Sequence, residues 1–401
     1  IPQFNIPVDL LNSNLSPELT MLNEILANPS RYVIVEARNG LGNRLRVVSG
    51  GLAIASATNR RLILTWPLDQ HCNATFSSLF FTEKHEVWFT FDTYFPQDIL
   101  SNNPKFKIHD CLRDKKSNTK HQQIKVDPDL GIFIRSAYGL NHPEGDFKKS
   151  YHFLRKLRPN KNVEAQLIDS TKFRMYGVHC RSKIYDGVVS KAVEAGEYVN
   201  ANDALVNYMG KKTAFTTIVE RRSSEWQYFV AAMREILEVD KDAVFFVAAD
   251  NFEAYEGFKA EFGEERVLYT RRESYSDESR GEMELQSALT DMINLGRSML
   301  ILGSSGSSFT DVASSFGDTV GKTKVKRVGN DFGQSICVQH ESGVYDIEPM
   351  RDGGLNVIDL IREDTNKKVS ARARQNDIDY SDNDYERTRR RNHLEYQDRI
   401  L

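Results

Sequence analysis

One stretch constrains the fold most. Between Tyr32 and Pro67 the chain runs through a short apolar segment, a glycine turn, a long alanine-rich segment and a second apolar run. Tyr32-Val-Ile-Val-Glu36 is β-branched at Val33, Ile34 and Val35 and bounded by turn residues, the pattern of a buried parallel strand. Leu45, Val48, Leu52 and Ala55 recur at helical spacing, and Arg61-Leu-Ile-Leu-Thr65 supplies a second strand. Gly40 and Gly42 permit a tight turn and the close approach of a ligand or a neighbouring segment. The following helix directs free N–H groups at that loop, which suits an anionic or hydroxyl-rich ligand. Strand, turn, helix and strand in this order predict an α/β fold.

The turn invites comparison with a dinucleotide fingerprint, but Leu45 stands where G-x-G-x-x-G requires its third glycine. Asn43 and Arg44 occupy the first helical positions instead. Two roles are open to them. An amide and a guanidinium beside a glycine turn can hold hydroxyls and phosphates, or Asn43 caps the helix while Arg44 pairs with an acid.

A chain of 401 residues is comfortable as two domains, and 40% hydrophobic with 27% charged residues is ordinary for a globular protein. A net charge of −3 gives no reason to expect nucleic acid as a partner. No window approaches the roughly 20 apolar residues of a membrane span. The start at Ile1 leaves both a secretory-pathway lumen and the cytoplasm open. None of the four cysteines, Cys72, Cys111, Cys180 and Cys337, sits at C-x-x-C spacing, which argues against structural zinc. A Cys72–Cys111 disulfide is open, and the sequons at Asn14 and Asn73 do not settle the compartment.

Taken in order, the chain begins with a polar segment and a short helix around Leu19 to Ile25. Trp66 to Asn73 reads as a loop at a strand end, where Asp69 and His71 are either acceptor-site residues or ordinary turn residues. Short apolar runs at His85 to Phe91 and Gly131 to Arg135 follow, with a solvated lysine-rich loop between them. The composition turns polar and basic from Asn141 to Lys161, which places a domain boundary near residue 160.

Phe173 to Arg181 reads as a strand carrying His179 and Arg181 on one side of its end. Arg181 offers a planar fork to a diphosphate and Lys183 a point charge. A helix over Ser223 to Glu238, a strand ending at Asp250, a helix over Tyr255 to Phe262 and a short strand over Arg266 to Tyr269 come next. A helix over Glu284 to Leu295 leads into the strand Ser298 to Gly303. The loop Ser304-Ser-Gly-Ser-Ser-Phe309 then opens onto a helix, so that hydroxyls and backbone N–H groups converge as in a phosphate cradle, or as in a Ser-rich turn capped by Ser307. Leu355 to Ile361 has the pattern of an amphipathic helix. Residues 365 to 401 read as a solvated extension with a basic run at Arg387 to Arg391.

Gly40-Leu-Gly-Asn-Arg-Leu45, Gly177-Val-His-Cys-Arg181, Ala248-Ala-Asp250 and Gly303-Ser-Ser-Gly-Ser-Ser-Phe-Thr310 occur in this order. Together they resemble the fucosyltransferase superfamily, which includes protein O-fucosyltransferases and α-1,6-fucosyltransferases. The resemblance spans roughly residues 32 to 316. It implies a GT-B architecture, with two Rossmann-like domains facing across a cleft. Residues 1–160 would form the acceptor side and residues 161–350 the nucleotide-sugar side, followed by a C-terminal helix and polar tail over 351–401. It also implies an inverting, metal-independent transferase that moves fucose from GDP-fucose to a hydroxyl of a glycan or glycoprotein. The motif Asp377-Ile-Asp379 matches a metal-binding D-x-D only formally, in the polar tail.

By motif match, Arg181 would neutralise the donor diphosphate, with His179 and Lys183 beside it. Asp250 would lie near the guanosine, and Ser307, Ser308 and Phe309 would hold the phosphates and base. Gly42, Asn43 and Arg44 would face the donor or acceptor from the first domain. Where the family places an acid soon after His-x-Arg, this chain has Ser182-Lys-Ile-Tyr-Asp186. Asp186, Glu194 and Asp69 are therefore the candidates for catalytic base. The same machinery serving another nucleotide sugar, or a catalytically silent module that binds a nucleotide sugar or glycan, are the alternative readings.

Overall fold

The computed structural model describes residues 16–349, except 82–86, 97–98, 101–102, 113–121, 185–195, 197–203, 208–209, 273–279, 318–322, 329–330, 332–334 and 340–344. The Leu355 to Ile361 helix, the polar tail and most of the lysine-rich loop lie outside the described residues.

The chain is α/β and carries two five-stranded sheets in which every pair of neighbours is parallel. The first is ordered β3-β2-β1-β5-β4. Its strands are β1 Tyr32–Ala37, β2 Arg61–Thr65, β3 Val87–Phe91, β4 Phe106–Asp110 and β5 Gly131–Ser136. All six residues of β1 are buried, as a central strand covered on both faces requires. The helix α1, Pro17–Ala27, is capped by the Ser16 hydroxyl, which accepts from Leu19 N. Its Ile25 packs with Ile34, Ile63 and Phe133 on one face of this sheet.

On the other face lies α2, Leu41–Ala57, which buries 13 of its 17 residues. A helix at the surface of one layer buries a single stripe. This one is buried nearly all round because β1 and β2 cover one side and the second half of the chain covers the other.

The second sheet is ordered β10-β9-β6-β7-β8. It comprises β6 Arg174–Cys180, β7 Ala243–Ala249, β8 Val267–Leu268, β9 Ile301–Gly303 and β10 Val325–Arg327. Helix α3, Lys211–Arg222, precedes α4, Gln227–Val239. The expected helix over Ser223 to Glu238 therefore starts four residues later. The Ser223 and Ser224 hydroxyls donate back to Val219 O and Glu220 O, closing α3 before α4 begins. The amide side chain of Asn251 caps α5, Phe252–Phe262, which stops at Gly263 with φ of 86°.

Helix α6, Glu282–Gly296, buries 11 of its 15 residues, and a six-residue helix, α7 Ser308–Ala313, follows β9. A two-stranded antiparallel ribbon, β11 Ser335–Gln339 and β12 Tyr345–Pro349, completes the described elements.

The segment over 141–161, polar in composition, nevertheless anchors the two halves. Phe153, Leu154 and Leu157 enter one hydrophobic cluster that also holds Val33 and Leu64 from the first sheet and Leu285 and Phe316 from segments that connect strands of the second. Arg155 Nε donates to Ser315 O at 2.8 Å, and Gln286 Nε2 donates to Ser78 O at 2.9 Å. Cys72, Cys111 and Cys180 are buried free thiols, so the Cys72–Cys111 disulfide does not form.

The end of α6 depends on a missing side chain. A Cβ at Gly296 would lie 2.5 Å from Ala313 O and 2.9 Å from Phe316. Overpacking against backbone costs about 1–3 kcal/mol. Gly296→Ala is expected to lower the thermal midpoint by several degrees, measured by circular dichroism. An unchanged midpoint would refute this packing.

Candidate functional site

Parallel sheets offer ligand sites at the carboxyl ends of their strands, where the strand order reverses. In the second sheet that point is β6 beside β9, and the chain fixes it with small polar groups. The Ser304 hydroxyl donates to His179 O and accepts from Arg181 N, both at 2.7 Å, tying the end of β6 to the turn after β9. Asp250, just past β7, accepts from Ser182 N at 3.0 Å and Lys183 N at 3.1 Å. Its role in the structure is to clamp the turn that presents Arg181. Burial pushes its carboxyl above the usual range, against the pull of those two amides and of Arg181.

His179 is buried on the same strand. One ring nitrogen bonds Thr310 Oγ1 at 2.7 Å, and the ring stacks on Phe309, with centroids 4.7 Å apart and planes 14° from parallel. Burial, then the charges of Arg181, Arg221, Arg327 and Arg272 in that order, hold its pKa well below the imidazole range. The neutral ring thus sits in the field of four guanidiniums. Two of them are braced by acids on neighbouring helices. Arg327 pairs with Asp311 on α7 and also donates to Ser304 O at 2.8 Å, and Arg272 pairs with Asp291 on α6.

Ser307 precedes α7 and is only 1% exposed. Its hydroxyl caps nothing and finds no partner among the described residues. The preceding Gly306, with φ of 60°, lies against the Glu220 carboxylate, so an acid as well as the arginines borders this loop. Ser308 and Phe309 open α7, with the Phe309 ring already committed on one face to His179. The Lys183 side chain is half-buried beside the clamp.

From the first half, the N-terminus of α2 meets this turn. A Cβ on Gly42 would lie 3.3 Å from the carbonyl of Ser308. Gly42 is therefore assigned to helix packing rather than to a donor contact. Arg44 also needs correcting as a donor-binding residue, because its side chain is 0% exposed. Nε donates to Asn39 O at 2.7 Å and Nη1 to Pro67 O at 2.8 Å. Nη2 lies 2.9 Å from Asp69 Oδ2, off the line of a hydrogen bond. The guanidinium lies over Trp66 at 5.0 Å, and Asn39, with φ of 66°, is held in the left-handed region by the bond to its carbonyl.

Asp69 accepts from His71 N at 2.8 Å and Cys72 N at 3.1 Å besides pairing with Arg44, so it is a turn-former and not a base. His71 is half-buried in that turn. Asn43 is half-buried, and its Oδ1 accepts from Arg46 Nη2 at 2.7 Å. Arg46 in turn lies 4.0 Å from Asp311. Asp186 and Glu194 lie outside the described residues.

Sequence reasoning missed Arg221, Arg272 and Arg327. They come from three separate elements and carry no local signature. Only the strand register and the field at His179 reveal them.

No protein-family model and no curated protein sequence matches the chain. Among solved structures, the chain is similar to fucosyltransferases. A NodZ α-1,6-fucosyltransferase soaked with GDP-fucose aligns over 80% of this chain and 98% of its own at 15% identity, with a TM-score of 0.45. POFUT1 in complex with GDP-fucose aligns over 75% and 98% at 13% identity, with a TM-score of 0.44. Arabidopsis thaliana FUT1 in complex with GDP aligns over 75% and 74% at 13% identity, with a TM-score of 0.46. Among the described residues no cluster of three or more His, Cys, Asp or Glu side chains could hold a metal, and no helix is long and apolar enough to cross a membrane.

Two predictions follow from this geometry. Arg44→Met leaves Asp69 without its ion-pair partner and two carbonyls without their donor, and is expected to destabilise by about 3 kcal/mol. Nucleotide affinity of the folded protein, read by calorimetry, should stay unchanged. A selective loss of affinity would return Arg44 to the ligand site.

His179 gives a pH dependence. The unfolded chain takes up a proton near pH 6.5 that the buried ring refuses, so its contribution is complete above that pH and is lost as pH falls below it. Thermal midpoints from pH 7.5 to 5 should fall more steeply in the wild type than in His179→Gln. Equal slopes would refute a buried neutral imidazole.

Proposed function

We propose that the chain is a GT-B glycosyltransferase that moves fucose from GDP-fucose to a hydroxyl of a glycan or glycoprotein, with inversion and without a metal. One observation carries this reading. At the β6/β9 switch point, Arg181, a buried orphan Ser307 hydroxyl and the field of three further arginines converge beside the first turn of α2. The motifs that resemble the fucosyltransferase superfamily support GDP-fucose as the donor, and two parallel α/β sheets suit a GT-B pair of domains.

The chemistry accounts for these residue types. The acceptor oxygen attacks the anomeric carbon from the side opposite the diphosphate and forms the new glycosidic bond. The bond from carbon to phosphate oxygen breaks, and its electron pair leaves with GDP. Negative charge grows on the leaving diphosphate, where fixed guanidiniums, the Ser307 hydroxyl and backbone N–H groups of the Ser308 turn stabilise it. Arg181 is the group assigned to the diphosphate by its motif, and its backbone is held in place: Ser304 accepts from its own N–H and Asp250 from that of Ser182. His179 stays neutral there and orients Thr310 and Phe309, rather than carrying charge. Asn43 faces the same space from α2 and would contact the sugar or acceptor. The acceptor proton must pass to a carboxylate or to solvent. With Asp69 and Asp250 engaged in the backbone, Asp186 is the assigned base on its place in the sequence.

Calorimetric titration of GDP, GDP-fucose and UDP in EDTA tests the donor. GDP and GDP-fucose should bind without metal, and Arg181→Ala should weaken both by tenfold or more, roughly the loss of one charge-assisted hydrogen bond. Binding of UDP alone would replace the donor. Absence of all three would refute the reading, and the anomeric configuration of the product by NMR decides inversion.

A further inference from the structure

The serine loop after β9 is bordered by an acid that no motif marks. Where a Cβ on Gly306 would stand, Cδ and both carboxylate oxygens of Glu220 lie instead. Glu220 belongs to the last turn of α3, and Ser224 ties that turn to the loop. The Ser224 hydroxyl donates to Glu220 O at 2.7 Å and accepts from Ser305 N at 3.3 Å. Its own carbonyl accepts from Cys180 Sγ at 3.0 Å, which anchors it to the end of β6. The carboxylate is thus held against the residue between Ser305 and Ser307, in the loop that the proposed donor's diphosphate would meet.

Arg221, the next residue, brings the opposite charge. It is 8% exposed, and its Nη1 finds no partner among the described residues. The end of α3 therefore delivers an anion and a cation to the same crevice. The wider set is nearly as even. Arg181, Arg221, Arg272 and Arg327 stand against Glu220, Asp250, Asp291 and Asp311, with Lys183 half-buried at the margin. A crevice this close to balance does not hold an anion by surplus charge. It holds the charges that its donors reach, and each further negative charge meets the nearest carboxylate. The diphosphate of a nucleotide sugar carries about two negative charges near neutral pH, and that of free GDP about three, because its terminal phosphate ionises again near pH 6.

We propose that Glu220 sets the charge that the donor site accepts, favouring a diphosphate esterified by a sugar over the free nucleoside diphosphate. The inference rests on the glycosyl-transfer reading and deepens it by naming a residue that separates donor from product. The additional charge appears only after the bond to the sugar breaks, so the carboxylate acts against GDP that lingers and hastens its exchange for fresh donor. It also opposes the charge that grows on the leaving diphosphate, which Arg181 stabilises. Glu220 thus trades ease of bond breaking for ease of product exchange.

The test is calorimetric titration of GDP, GDP-fucose and the β-methyl ester of GDP, which has the donor's charge without its sugar. Wild type, Glu220→Gln and Glu261→Gln are compared at pH 7.5. Glu261, near the far end of α5 and paired there with Arg234, controls for the loss of one negative charge anywhere on the protein. The wild type is expected to bind the methyl ester at least as tightly as GDP. Glu220→Gln should tighten GDP roughly tenfold more than it tightens GDP-fucose or the methyl ester, and Glu261→Gln should change none of them. A carboxylate that merely packs on Gly306 would move all three ligands alike. GDP gaining no more than the other two, the same gain in Glu261→Gln, or a wild type that holds GDP more tightly than the methyl ester would each overturn the assignment. A wild type that binds none of the three would instead strike the donor reading, which separates the two failures.

Discussion

The rest of the structure depends on a close approach of two backbones. The first turn of α2 and the first turn of α7 meet where Gly42 faces Ser308, so closely that a Cβ there would lie 3.3 Å from the Ser308 carbonyl and press on main chain. That contact brings the carboxyl end of β1 and the carboxyl end of β9 to the same place. It also explains why α2 is buried nearly all round, which is unusual for a helix between a sheet and solvent. A side chain at this position would move α7, and with it Ser307, Phe309 and the brace from Asp311 to Arg327. Arg46 reinforces the approach from α2 by lying near Asp311.

Concentrating guanidiniums around a buried ring is costly unless each has an answering charge or a ligand to come. The molecule answers some of them with acids that also hold backbone in place. Asp311 meets Arg327, Asp291 meets Arg272, and Asp250 fixes the turn beside Arg181. Burial raises the carboxyls of Asp250 and Asp291, so neither acid is as comfortable ionised as it would be in water. The imidazole escapes the conflict by staying neutral. What the acids do not answer is the Ser307 hydroxyl, the group that the proposed donor's diphosphate would engage.

Much of this was legible in the sequence, and the limits are instructive. The strand–turn–helix–strand unit at Tyr32 to Thr65, the strand ending at Arg181 and the serine loop after Gly303 all announce themselves, because periodicity and turn residues are local properties. Local spacing does not say which way a side chain on the first helical turn points. Arg44 follows Asn43 by one residue, yet it turns inward to serve Asn39, Pro67 and Asp69, while Asn43 stays half-exposed. Gly42 reads equally well as a ligand approach or a helix approach, and only the position of α7 decides. The end of α3 was missed because Ser223 and Ser224 look like a helix start, whereas their hydroxyls close the preceding helix. The row of Glu36, Arg135 and Asp110 was invisible, because parallel register assembles it from three strands.

Both sheets obey one rule, and they obey it with different chemistry. In each, the strand order reverses beside the first strand of the unit, and the polar residues gather at that reversal because the crossovers depart to opposite faces and leave the crevice uncovered. In the second sheet the crevice gathers the guanidiniums of Arg181, Arg221, Arg272 and Arg327 with the carboxylates of Glu220, Asp250, Asp291 and Asp311 and a set of small hydroxyls. In the first, Glu36, Arg135 and Asp110 stand in one row, with Arg38 over the exposed Tyr94 ring beside them.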